Sequence, residues 1–91
     1  MAVKHEPSYH RFIVESDGDA ASLMYRVEGD TITFVHTEVP VQLEGQGIGG
    51  QLAKAGLEYA RANQLKVVPR CPFVAEYVKR HPEYTDLVKD Q

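Results

Sequence analysis

Val39-Pro40-Val41-Gln42-Leu43-Glu44-Gly45-Gln46-Gly47-Ile48-Gly49-Gly50 joins a stretch rich in β-branched residues to a stretch with helical periodicity, and its glycines fall at 45, 47, 49 and 50. Glycine lets a backbone approach a ligand closely and turn its N–H groups outward. The start of a helix adds unpaired donors and a partial positive charge of about +0.5. A phosphate or pyrophosphate suits such a junction. The alternative is a turn that uses glycine for conformational freedom alone, but four glycines between 45 and 50 favour the anion.

Beyond the glycines, Gln51, Lys54, Glu58 and Arg61 form a polar stripe, and Ile48, Leu52, Ala53, Leu57 and Ala60 are apolar or small. This pattern predicts an amphipathic helix of about sixteen residues, ~24 Å long. Asn63-Gln64 ends it, and Leu65-Lys66-Val67-Val68 reads as a short strand parallel to the one before the helix, which completes one βαβ unit. A second helix starts at Pro72, carries Phe73, Val74, Tyr77, Val78 and His81 on one face, and stops at Pro82. Upstream, His10 to Glu15, Ser22 to Glu28 and Thr31 to Val39 have strand character, separated by the turn clusters Ser16-Asp17-Gly18-Asp19 and Glu28-Gly29-Asp30-Thr31. The predicted fold is α+β with one α/β unit: an antiparallel three-stranded meander, the βαβ unit and a C-terminal helix. It forms a single domain over 1–91, with 1–8 as a flexible N-terminal segment and 83–91 as an edge segment around Leu87 and Val88 with frayed ends.

The chain has 91 residues, 43% hydrophobic and 25% charged, which describes an ordinary globular protein. A domain of this size buries only about two thirds of its unfolded surface. No run approaches the ~18 apolar residues of a spanning helix. Met1 to Tyr9 lacks the apolar stretch of a secretory signal, so a cytoplasmic location is expected. Cys71 is the single cysteine, which excludes an internal disulfide and a cysteine-based metal cluster. His5, His10 and His81 form no metal-ligand spacing with carboxylates, and no metal is expected. A net charge of −3 provides no basic field for nucleic acid or anionic lipid. A small ligand or a protein partner fits better.

Three phosphate-binding loops compete for the glycines. A Walker loop needs Gly-Lys-Ser/Thr at its end, and the chain has none. The dinucleotide pattern G-x-G-x-x-G is matched by Gly45, Gly47 and Gly50, but it belongs at the first turn of a repeated, mostly parallel fold. The acetyltransferase loop Q/R-x-x-G-x-G/A is matched by Gln42-Leu43-Glu44-Gly45-Gln46-Gly47. Together with the order of strands and helices, this loop makes the chain resemble the GNAT superfamily of acetyl-CoA-dependent N-acetyltransferases, and its small single-domain members in particular. The resemblance runs from the first strand to about Tyr84. It is strongest over Val39 to Ala60, Leu65 to Cys71 and Tyr77 to Tyr84.

The resemblance implies a minimal GNAT fold in which the strands Thr31–Val39 and Lys66–Val68 splay into a V-shaped cleft. The pantetheine arm of acetyl-CoA would run beside Thr37, Glu38 and Val39, and the pyrophosphate would lie over the loop. Cofactor contacts are thereby implied for Thr37, Val39, Gln42, Leu43, Glu44, Gly45, Gln46, Gly47, Ile48, Gly49 and Gly50. The implied reaction is acetyl transfer to an amine acceptor, a small molecule or a protein, by a monomer or weak homodimer. Larger members build an acceptor pocket from N-terminal helices and extra C-terminal strands that have no counterpart here, so the acceptor side is expected to be open. The alternatives are a CoA- or acyl-CoA-binding module without turnover, and a nucleotide-binding domain in which Arg70 faces a 2′-phosphate.

Acetyl transfer needs a base for the amine, support for an oxyanion and an acid for the departing thiolate. Cys71 precedes Pro72, which favours the first helical position, so Cys71 is the expected N-cap beside Arg70. That setting favours a thiolate, although most free cysteines are small buried hydrophobes. In the small members that the chain resembles, a cysteine here has been suggested as catalytic. Tyr77 stands where the superfamily often has a thiolate-protonating tyrosine, but His81-Pro82 replaces the usual Gly-Phe, and a core aromatic is the competing reading. Ile32, Phe34, His36 and Glu38 share one strand face by period 2, so His36 and Glu38 are candidate bases if that face opens into the cleft. Otherwise they sit at the wet end of a strand.

Overall fold

Asp17-Gly18 and Gly29-Asp30 are the two-residue turns that set the register of the sheet. Asp17 and Gly18 both take positive φ, 50° and 83°, which matches the twist that paired strands require, and Gly29 takes 59°. They join β2 (Arg11–Ser16), β3 (Asp19–Glu28) and β4 (Thr31–Glu38), with Ser16 opposite Asp19 and Glu28 opposite Thr31. The computed structural model describes residues 2–89, and the last two residues of the tail expected to fray lie outside them.

A short β1 (Lys4–Glu6) precedes these strands, and α1 (Ile48–Ala62), β5 (Lys66–Pro69) and α2 (Pro72–Arg80) follow. The five strands form one sheet in the order β1-β2-β3-β4-β5, antiparallel throughout except for the parallel pair β4–β5. The mixed α+β architecture is the one expected, and the crossover through α1 makes the parallel pair possible.

One face of the sheet is covered by α1. Leu52, Ala53, Leu57 and Ala60 are buried with Phe12, Val14, Leu23, Ile32, Phe34 and Val67 in a single core. Lys54, Glu58 and Arg61, from the predicted polar stripe, are exposed. Gly56 permits the approach, since a Cβ there would stand 2.7 Å from the Phe34 ring.

Both ends differ from expectation. The segment 1–8 is not simply a flexible arm, because Lys4, His5 and Glu6 pair with Ile13, Phe12 and Arg11, so the meander has four strands. The His5 ring stacks on Phe12 at 4.3 Å, and its Nε2 lies 2.6 Å from the Tyr25 hydroxyl. Arg11 Nε donates to the Glu6 carboxylate at 2.6 Å. These partners sit elsewhere in the sheet, so local composition could not announce the strand. At the other end, Pro82–Leu87 is a 3-10 turn that buries Tyr84 and Leu87. The expected edge segment pairs through one parallel bridge between Val67 and Val88, with Lys89 N–H donating to the Val67 carbonyl at 2.9 Å. Arg61 secures the turn by donating to Asp86 and to the Glu83 carbonyl, the latter at 2.6 Å, and Tyr84 donates to Glu58 at 2.6 Å.

Candidate functional site

The β3–β4 register slips by one residue in the middle of the sheet: Tyr25 faces Phe34, but Met24 faces His36. Val35 is therefore an extra residue on β4, a β-bulge, and it is half exposed. Because side chains alternate with period 2, one inserted residue exchanges the faces beyond it. The inward face passes from Ile32 and Phe34 to Thr37, which lies opposite the buried Leu23. His36 and Glu38 fall on the other face, opposite Met24 and Ser22, and both are exposed. They do not share a face with Ile32 and Phe34, and the expectation that they did is corrected by the bulge.

The parallel ladder ends at the same level. Its last pair is Phe34 with Pro69, after which Cys71 N–H donates to the Phe34 carbonyl at 2.9 Å and the chain turns into α2. Cys71 is the N-cap of α2, with extended backbone and Pro72 at the first helical position, as its sequence neighbour implied. Its side chain is 3% exposed, and its Sγ lies 3.0 Å from Thr37 Oγ1. The bulge and the end of β5 thus bring together two residues 34 positions apart.

A 3-10 turn, Val41–Leu43, carries the chain from β4 to the glycines, anchored by the buried Leu43. Gly45 and Gly47 adopt φ of 80° and 73°, conformations that side-chain-bearing residues rarely accept. Gly47 is the N-cap of α1 and offers no side-chain cap, so the first-turn amides have no partner from it. Gly49 answers to a different constraint: a Cβ there would stand 2.8 Å from Phe73 Cζ.

A hollow of about 410 Å³ opens above this loop. It is lined by Thr37, Val39, Leu43, Glu44, Gly45, Gly47, Ile48, Gly49, Gly50 and Phe73. Of the expected contact residues, Gln42 and Gln46 stay outside it, the Gln46 amide donating to the Gln42 carbonyl at 3.4 Å. Phe73 was missed. Period-3.6 reasoning assigns it to the core face of α2, yet its ring lies over Gly49, 44% exposed. A glycine inside a helical pattern was the available signal for such a close neighbour.

Tyr77 is not brought to the Thr37–Cys71 contact. It lies beside Gly50, stacked on the His81 ring at 3.9 Å, and lines a separate hollow of about 380 Å³ with Phe73, Glu76, Arg80 and His81. Burial pushes its phenol up from the usual tyrosine value, and Glu83 and Glu58 add to the effect. Arg70 lines a hollow on the opposite sheet face rather than the loop, so it does not face a phosphate held by the glycines. Among the described residues no group of three or more His, Cys, Asp or Glu could hold a metal, and no helix is long and apolar enough to cross a membrane.

Known proteins resemble the chain in sequence and in fold. The solution structure of a GCN5-like N-acetyltransferase candidate from Staphylococcus aureus superposes with a TM-score of 0.77 at 31% identity, over 99% of this chain and 89% of that one. Protein NATD1 of Xenopus tropicalis is 36% identical over 85 residues, which cover 90% of this chain and 78% of that protein. Protein NATD1 of Homo sapiens is 37% identical over 85 residues, covering 90% and 75%. The family model for GCN5-related N-acetyl-transferases matches residues 11–87, from the first residue of β2 to the end of the Pro82–Leu87 turn. With its fold, its glycine loop and these relatives in agreement, the chain belongs to the GCN5-related N-acetyltransferase family.

Proposed function

We propose that this protein binds acetyl-CoA in the hollow between the outer end of β4 and the glycine loop, and transfers the acetyl group to an amine. The observation that carries the reading is the loop itself: positive-φ glycines and an uncapped helix start face a hollow that continues to Thr37. The pyrophosphate would accept hydrogen bonds from amides between Leu43 and Gly50, where the helix dipole favours negative charge. Beyond Phe34, β4 has β3 on one side and no ladder from β5 on the other. Its backbone groups from Thr37 to Val39 are then available to the amides of the pantetheine arm, which would lie against β4 as an added strand does.

In the transfer, the amine nitrogen forms a bond to the thioester carbonyl carbon, the C–S bond breaks, and the proton lost by the amine ends on the CoA thiol. In this reading the thioester would lie at the Thr37 end of the hollow, where the buried Cys71 Sγ, outside the lining, meets Thr37 Oγ1. A Cys71 route divides the reaction in two: Sγ takes the acetyl group with release of CoA thiol, and the amine then takes it from Sγ. Tyr77, kept protonated by its raised pKa, would be the phenolic acid only if CoA sulfur came to its side of Phe73.

A second reading, binding without turnover, is favoured by one observation. Among the described residues Glu44 is the only ionisable side chain lining the hollow, because the bulge turns His36 and Glu38 away. Amide chemical shifts recorded with acetyl-CoA, CoA, NADP and ATP in turn test the shared claim. Gly45 to Gly50 should move with the CoA species; movement with NADP or ATP but not with CoA overturns both readings. Release of CoA thiol in the presence of an amine then separates transfer from binding.

A further inference from the structure

The sheet face turned away from α1 carries its own hollow, of about 580 Å³, lined by Met24, Tyr25, Arg26, Val35 and Arg70. That volume falls among those of small-molecule sites, about 300–1,000 Å³. Its place follows from the bulge. Val35 is the inserted residue of β4, and Arg70 is the last residue before the chain turns at Cys71. The hollow therefore backs onto the level where the β4–β5 ladder ends, with the Thr37–Cys71 contact on the far side.

The walls have a distinct chemistry. Met24 and Val35 are 45% and 43% exposed and form an apolar floor. Arg26 and Arg70 supply two guanidinium groups, and among the described residues no carboxylate lines the hollow. The other three arginines each pair with a carboxylate: Arg11 with Glu6, Arg61 with Asp86, and Arg80 with Glu76. Among the described residues Arg26 and Arg70 have no such partner, although the chain has 13 acidic residues and a net charge of −3. His36 lies across the ladder from Met24, and Glu38 lies further along β4, opposite Ser22.

The geometry points to this hollow as the acceptor subsite, selective for a small primary amine that also bears a carboxylate. The carboxylate accepts from Arg26 and Arg70, whose planar donor forks match it. The carbon chain lies on Met24 and Val35, and the amine points to the split between β4 and the start of α2. A diamine of the same length would place a second positive charge against two guanidinium groups. The amine's fate rests on the acetyltransferase reading; recognition of the carboxylate does not.

The test compares 5-aminopentanoate with 1,5-diaminopentane, which differ only at one end, by amide chemical-shift titration of the full chain with CoA present. Met24, Val35 and Arg70 should shift saturably with the aminopentanoate, and the diamine should bind at least about tenfold more weakly. Arg26→Gln and Arg70→Gln should each weaken binding about tenfold, as loss of a charge-assisted hydrogen bond does, with partial retention in Arg70→Lys. Arg80→Gln should change nothing. Equal or tighter binding of the diamine, equal weakening by Arg80→Gln, or no saturable shift with either probe overturns the proposal. The response of Gly45 to Gly50 to CoA is read in the same spectra, so a failure of cofactor binding is seen separately from a failure of this subsite.

Discussion

Thr37 Oγ1 and Cys71 Sγ lie 3.0 Å apart across the opening between β4 and α2, and this contact exists because one extra residue, Val35, shifts the face of β4. If Cys71 takes the acetyl group, incubation with acetyl-CoA adds about 42 Da to the wild type and nothing to Cys71→Ala. Thr37→Val, which keeps the shape and removes the hydroxyl, should slow the adduct about fivefold to tenfold, the loss of one hydrogen bond. Intact mass spectrometry reads both, and an adduct that persists in Cys71→Ala rules out the acyl-cysteine.

Gly49 and Gly56 both lie in α1 and both crowd an aromatic ring, yet alanine should act oppositely on their stability. At Gly49 the nearest atom is Cζ, the far end of the half-exposed Phe73 ring, which can swing away. Gly49→Ala then gains helix propensity, up to about 1 kcal/mol, while CoA affinity falls because Phe73 leaves the wall of the hollow. At Gly56 the neighbours are Phe34, 0% exposed, and Leu23, so overpacking should cost about 1–3 kcal/mol. Urea denaturation and CoA titration of the two variants check the pair. Equal destabilisation would contradict the assignment of Phe73 as a movable wall.

The Tyr84 phenol is pushed well above the usual tyrosine range by burial first, then by its hydrogen bond to Glu58. A group whose folded pKa exceeds its unfolded value stabilises fully below the unfolded value, about 10, and loses that contribution as pH climbs toward the folded one. Wild-type stability should therefore decline from about pH 10 upward, and Tyr84→Phe should show a shallower decline by one proton. At neutral pH the same variant should lose about 1–2 kcal/mol, because the Glu58 carboxylate keeps no donor from Tyr84. Denaturant midpoints between pH 7 and 11 give both quantities.

His5 has the opposite sign. Burial lowers its imidazole below the ordinary histidine value of about 6.5, so its contribution is present above that pH and is lost as pH falls through the folded value. His5 Nε2 lies 2.6 Å from the Tyr25 hydroxyl in a setting where burial disfavours the charge that protonation adds. Hydrogen exchange should report earlier opening of β1 on acidification below about pH 6, and His5→Phe should flatten the response. Exchange of β1 that does not vary between pH 7 and 5 would refute the link.

The features carried by near neighbours could be read from the letters. Both two-residue turns follow from Asp-Gly and Gly-Asp, α1 from its polar stripe, the N-cap Cys71 from Pro72, and the positive-φ loop before α1 from the glycines that follow Gln42. Each depends on backbone preferences or periodicity within a few residues, so a linear reading suffices.

The rest depends on partners far apart in the chain. β1 exists because Phe12, Arg11 and Tyr25 receive His5 and Glu6. Phe73 lies half exposed over Gly49, whose missing Cβ makes room for its ring. Val35 bulges where β3 and β4 change register, and that single insertion turns His36 and Glu38 away from the hollow and Thr37 toward Cys71. Alternation by twos holds only while a ladder keeps its register, and register is a property of two strands together, which neither strand's letters contain.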